Sequence, residues 1–154
     1  MNYSIRSGTP SDMPEIQKLL PRLADFNVPP YRTPEHLWHG DRDLILNWAN
    51  SNRNDVFVAV AILDGNLVGV AAMSLRNELL SGEPSAHLEV LAISGRAEGA
   101  GIGSALMRET ESIALSKGAK SISLHVFSNN SRARSLYERH GYNDELIRYF
   151  KPLV

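Results

Sequence analysis

The chain has 154 residues, 16 Lys and Arg against 17 Asp and Glu, a formal net charge of -1, and no cysteine. Its length and 43% hydrophobic content suit a single domain, 1–154, with a real core, and the near-neutral balance argues against a nucleic-acid partner, which calls for a basic excess. Without cysteine there is no disulfide, thiolate nucleophile or Cys-ligated zinc, and a cytoplasmic location fits; "MNYSIRSGTP" lacks a signal-peptide core, and no apolar run approaches membrane-spanning length.

Residues 3–6 alternate as a short strand. "TPSDMPEIQKLL" opens a helix that Thr9 or Ser11 can cap, with proline in its first turns, where no hydrogen bond is lost. Ile16, Leu19, Leu20 and Leu23 form one apolar stripe at i, i+3, i+4, i+7. A second helical region starts at Thr33-Pro34-Glu35, bends near Gly40 and carries Leu44, Ile45 and Trp48 on its apolar face. Residues 56–63 and 67–75 read as a hairpin around Asp64-Gly65-Asn66, and a loop covers 77–85. "HLEVLAIS" is a further strand, whose alternation places His87, Glu89, Leu91 and Ile93 on one face and Leu88, Val90 and Ala92 on the other. A helix over 101–117, C-capped by Gly118, buries Ile102, Ala105, Leu106 and Ile113. "SISLHVF" alternates as a strand with Ile122, Leu124 and Val126 on one side. Residues 130–140 read as a helix closed by Gly141, and the tail "ELIRYFKPLV" as a last strand. The order β-α-α-β-β-β-α-β-α-β predicts an α/β fold with a mixed central sheet flanked by helices.

"GAGIGSALM", residues 99–107, puts three glycines in five positions where a helix begins. A helix N-terminus offers unpaired N–H groups and a partial positive charge, so a strand, a glycine loop and a helix can hold phosphate. The P-loop pattern fails, because Gly103 precedes Ser104 with no lysine between them. The dinucleotide pattern fails too: the spacing is G-x-G-x-G, and the next strand ends in Phe127-Ser128-Asn129 with no acid. The same glycines would also serve tight helix–strand packing.

"HLEVLAISGRAEGAGIGSALM" followed by "SLHVFSNNSRARSLYERHGY" resembles the GCN5-related N-acetyltransferase superfamily over the whole domain. The resemblance rests on the glycine loop and on Asn130, Ala133, Tyr137, Gly141 and Tyr142 at the family spacing. It implies acetyl-CoA as the acetyl donor, its pyrophosphate held by the backbone of Glu98, Gly99, Ala100, Gly101, Ile102, Gly103 and Ser104. It further implies that pantetheine pairs with the strand at Leu91, Ala92 and Ile93, which also supply an oxyanion donor, and that Asn130 and Ala133 border the same arm. One departure stands out. Arg96-x-x-Gly99-x-Gly101 fits the pattern as text, but counting from Ile93 the signature glycines fall on Gly101 and Gly103. The family's Arg/Gln position is then Glu98, a carboxylate expected to turn to solvent so that its backbone N–H alone meets the phosphates.

Tyr137 matches the family's general acid; a phenol stays protonated at neutral pH, although the same position also suits an ordinary core tyrosine. Asn130 equally suits a helix N-cap. Glu89 is the preferred base for the amine, directly or through water, because an unpaired acid in an apolar strand is costly to bury; the alternative is an acid that is paired or exposed at the strand edge. His87, at an expected solvent-exposed strand start, is the lesser candidate. Asn27 to Trp38 and the 77–85 loop border the acceptor groove. Glu78 and Glu83 could attract a cation there, and Tyr31 and Trp38 could wall it. His36 and His39 are too few for a metal site. The expected function is acetyl transfer to a primary amine of a small molecule, peptide or protein, with no metal, no membrane and no nucleic acid. A non-catalytic coenzyme A module is the alternative, and a free sheet edge leaves a homodimer open.

Overall fold

Proline decides how the first helix begins and ends. The computed structural model describes residues 2–154; Met1, with which the expected domain starts, lies outside them. After strand β1 (Tyr3–Ser7), a 3₁₀ turn at Pro10–Asp12 leads into α1 (Met13–Leu19). The Asp12 carboxylate accepts from the Thr9 N–H at 2.8 Å and takes the Arg6 guanidinium as a two-pronged partner at 2.8 Å on each oxygen. Pro21 has no N–H to continue the α pattern, and the chain tightens to a 3₁₀ turn over Leu20–Ala24. The second helical region is a 3₁₀ turn, Pro34–Leu37, followed by α2 (His39–Ala49). The break falls at Trp38 (φ -139), not at Gly40, which lies within α2.

β2 (Val56–Leu63) and β3 (Asn66–Asn77) form the expected hairpin. Asp64 and Gly65 both take positive φ at its turn, the geometry that matches strand twist. β4 (Pro84–Ile93) continues the antiparallel sheet, and β5 (Ile122–Leu124) joins it parallel to β4, giving the order β1-β2-β3-β4-β5. α3 (Ile102–Ser116) and α4 (Ser131–Arg139) complete the elements.

The alternation expected along β4 is broken by one residue. Ala72 lies opposite Val90 but Met73 opposite Leu88, so Glu89 is an extra residue in a bulge. A bulge shifts every later side chain to the other face. Val90 and Ala92 therefore enter the core beneath α1 and α2, with Ile16, Leu20, Ile45, Val58 and Val70. Leu88, Leu91 and Ile93 pack on the α3 side with Ile102 and Leu106. On α3 the buried stripe is Ile102, Leu106, Met107, Thr110 and Ala114; the expected Ala105 and Ile113 are only partly covered. Gly118 (φ 86) closes α3: its N–H donates to Leu115 O at 3.0 Å, and the Ala119 N–H to Ala114 O at 3.0 Å.

The expected last strand is absent, since residues 142–154 form neither helix nor strand. The apolar residues come as doublets, Leu146-Ile147 and Tyr149-Phe150, which do not alternate and leave no single face to bury. The tail is held by side-chain stacking, Phe150 lying 5.2 Å from the Tyr31 ring with the Arg32 guanidinium 4.1 Å above it. Among the described residues no helix is long and apolar enough to cross a membrane.

Candidate active site

Between β4 and α3 the chain makes a 3₁₀ turn at Gly95–Ala97 and then the glycine loop. Gly99 and Gly101 have φ of 78 and 79, which glycine adopts without the steric cost other residues incur. A Cβ at either would meet nothing within 4 Å, so both face open space. Gly103 differs: a Cβ there would lie 3.4 Å from Leu136, so this glycine lets α4 pack on α3. Among the described residues, no protein group accepts from the N–H of residues 99 to 104; the first bond closing α3 is Ala105 N–H to Gly101 O at 3.0 Å. These consecutive donors at the positive end of a helix fit a phosphate group. The side chains contribute little here, Ile102 being fully buried and the Ser104 hydroxyl bonded to His140 Nε2 at 2.9 Å.

Glu98 does not simply turn to solvent. Its carboxylate is paired with Arg22 and, at 3.0 Å, with Arg132, and these guanidinium groups, Arg132 foremost, hold it below the usual range. The carboxylate is thus paired by arginines from distant segments.

β4 and β5 pair only over Ala86–Leu88 and Ile122–Leu124, and beyond that they part. The Ser94 N–H donates to Val68 O at 2.7 Å, which sets the ladder's phase. By alternation, Val90 and Ala92 bond to β3, while Leu91 and Ile93 turn their polar groups toward the gap. Of the three residues expected to line it with backbone donors, Ala92 is therefore committed to the sheet. The Ile93 carbonyl accepts from Arg22 Nε at 3.1 Å, leaving the Ile93 N–H and both polar groups of Leu91 facing the gap. Asn130 caps α4, its Oδ1 accepting from the Ala133 N–H at 3.3 Å, and its amide NH₂ has no protein partner among the described residues. Tyr137 packs against the α3-side core, and burial pushes its phenol up. Its hydroxyl bonds to no protein group among the described residues, whereas neighbouring Tyr142 donates to Glu111 at 3.0 Å.

On the other face the bulge delivers Glu89 beside β3. Its Oε1 accepts from Ser74 Oγ at 2.9 Å and from the Arg76 guanidinium at 2.7 Å. Close enough to feel its charge is Asp41, in the first turn of α2, which makes no ion pair among the described residues. Burial first, then the Glu89 charge, push Asp41 up to about 7, with His39 opposing. The sequence reading missed Asp41, though a signal existed: with Ile45 and Trp48 it keeps the spacing of the buried stripe of α2. His87 is 5% exposed, not solvated as expected for a strand start. Its Nδ1 lies 2.8 Å from Ser123 Oγ, its ring 4.7 Å from His125, and burial pushes it down to about 4, so it is neutral at pH 7.

Several other candidates have structural employment. Glu78 accepts from the N–H groups of Leu80 and Ser81 and so braces its own turn, and Glu83 is exposed. Tyr31 stacks on Phe150, and Trp38 lies under Arg42 at 5.9 Å. His36 Nδ1 accepts from the Thr33 N–H, and His39 Nδ1 contacts Glu35 O. Among the described residues no group of three or more His, Cys, Asp or Glu is placed to hold a metal ion.

Residues 20–142 match the model of the acetyltransferase (GNAT) family. No curated protein matches the sequence. Among solved structures, a Pyrococcus furiosus protein provisionally assigned as an acetyl transferase is 25% identical, with a TM-score of 0.79 over 99% of this chain and 100% of its own. An aminoglycoside acetyltransferase from an uncultured soil metagenomic sample is 21% identical (TM-score 0.69, covering 99% and 97%). A ribosomal-protein-alanine N-acetyltransferase from Brucella melitensis is 20% identical (TM-score 0.73, covering 99% and 100%). These last two likenesses concern the fold alone.

Proposed function

The chain belongs to the acetyltransferase (GNAT) family, and from that premise we propose that it is a cytoplasmic N-acetyltransferase transferring acetyl from acetyl-coenzyme A to a primary amine by direct attack. The observation that carries this reading is the run of N–H groups from Gly99 to Ser104 that have no partner among the described residues, next to the opened edge of β4. When bound, acetyl-coenzyme A supplies the activated thioester. The loop N–H groups hold its diphosphate, and the N–H groups of Leu91 and Ile93 with the Asn130 amide hold the pantetheine arm and acyl oxygen. A well-placed donor to the developing oxyanion is worth roughly 3 kcal/mol of barrier.

Tyr137 donates the proton that the departing thiolate needs. Its burial favours the protonated phenol, and among the described residues its hydroxyl has no competing protein partner. Glu89 takes the amine proton, directly or through water, and the Arg76 and Ser74 hydrogen bonds fix its carboxylate. Glu89 presents negative charge to the acceptor side, and Asp41 adds to it as pH rises past about 7, which favours an amine arriving as a cation, on a small molecule or on a peptide or protein. The chain has no cysteine to carry an acyl thioester, which suits direct transfer.

A thiol-release assay over a panel of amines, paired with calorimetric titration of acetyl-coenzyme A, tests the proposal. The expected result is binding heat, turnover with at least one amine, and loss of turnover with binding retained in Tyr137→Phe and Glu89→Gln. Binding without turnover on any amine would point to a non-catalytic coenzyme A module. No binding heat would end both readings.

A further inference from the structure

We propose that Arg132 supplies the side-chain cation for a phosphate of coenzyme A and that Glu98 is the residue that positions it. This rests on the coenzyme A reading above. Glu98 directly precedes the free N–H run, where a bare carboxylate would drive a phosphate away. It is not bare, because two arginines converge on its Oε1, and they are not equivalent.

Arg22 has each of its three nitrogens engaged. Nε donates to Ile93 O at 3.1 Å, one terminal nitrogen pairs with Asp25 and the other with Glu98. It is a strut between the 3₁₀ turn after α1 and the end of β4, with three of its five N–H donors engaged and its position fixed from three sides. Arg132, in the first turn of α4, is 74% exposed and among the described residues makes one ion pair, to Glu98 at 3.0 Å through a single terminal nitrogen. A guanidinium carries five N–H donors in a rigid fork, so most of those on Arg132 stay available. Glu98, fixed by the strut, holds that fork beside the loop. A carboxylate at this position thus does indirectly what an arginine there would do directly. Arg96 lies in the same loop but pairs with no acid among the described residues, so nothing orients it.

The test is calorimetric binding of coenzyme A and of dephospho-coenzyme A, which lacks the 3′-phosphate, to wild type, Arg132→Gln, Arg132→Lys, Glu98→Gln, Arg96→Gln and the Glu98→Gln/Arg132→Gln double variant. Melting curves confirm that each is folded. Arg132→Gln should weaken coenzyme A binding roughly tenfold, Arg132→Lys less, and Arg96→Gln by under about twofold. Glu98→Gln should weaken it roughly three- to fivefold in the wild-type background and not at all beside Arg132→Gln, since it acts through that side chain. If the Arg132→Gln loss persists with dephospho-coenzyme A, the partner is the diphosphate; if it vanishes, the 3′-phosphate. Unchanged or tighter binding in Glu98→Gln, or strictly additive losses in the double variant, would overturn the inference. Failure of the wild type to bind coenzyme A would instead strike the functional reading itself.

Discussion

Replacing Gly101 by alanine separates what the glycine loop does for the ligand from what it does for the fold, provided Gly118→Ala is made beside it. The two glycines bracket α3, with φ of 79 and 86, and at neither would a Cβ meet an atom within 4 Å. Left-handed backbone costs a non-glycine residue about 1–2 kcal/mol, and the stiffer unfolded chain returns about 0.4–1 kcal/mol. Each variant should therefore lose about 0.5–1.5 kcal/mol, a melting-temperature drop of roughly 1–6 °C for a domain of this size. Binding should distinguish them. A methyl on residue 101 enters open space within the loop proposed to hold the diphosphate, whereas residue 118 lies roughly 25 Å away along the helix axis. Coenzyme A affinity should fall at least about tenfold, about 1.4 kcal/mol, in Gly101→Ala and stay within about twofold in Gly118→Ala. Calorimetry and thermal melts read both quantities. Equal affinity losses in the two variants, or a destabilised Gly101→Ala that binds like wild type, would refute close approach of this backbone to the ligand.

Tyr137→Phe should lower kcat by roughly 100-fold while acetyl-coenzyme A affinity is unchanged, read by thiol release and calorimetry on the same sample. Asp41 is raised to about 7 in the folded chain, so between its ordinary carboxylate range and that value the folded state binds the extra proton, and wild-type stability falls as pH rises through this window. Asp41→Asn should therefore be the more stable protein at pH 8, with the gap closing near pH 4 in urea melts; a gap that does not change with pH would remove the argument. Leu106→Ala, at a fully buried site between α3 and the sheet, should cost about 2–5 kcal/mol in chemical denaturation with no change in m.

Much of this molecule is legible from short stretches of chain. Pro10 and Pro14 begin the first helix, Asp64-Gly65 turns the hairpin, Asn130 caps α4, and Gly118 and Gly141 stop their helices. Each is a steric or hydrogen-bonding preference satisfied within a few residues, so neighbours in sequence suffice to read it. The glycine loop belongs here too, since positive φ at residues 99 and 101 is a local demand. What the tertiary structure alone decides depends on partners far along the chain. The register of β3 against β4 puts Glu89 in a bulge and reverses the faces of Leu91 and Ile93. Arg22 and Arg132, far apart in sequence, both pair with Glu98, and the fold brings Asp41 within reach of the Glu89 charge. Alternation cannot foresee an inserted residue, and charges acting through a desolvated interior depend on distances that only the folded chain creates.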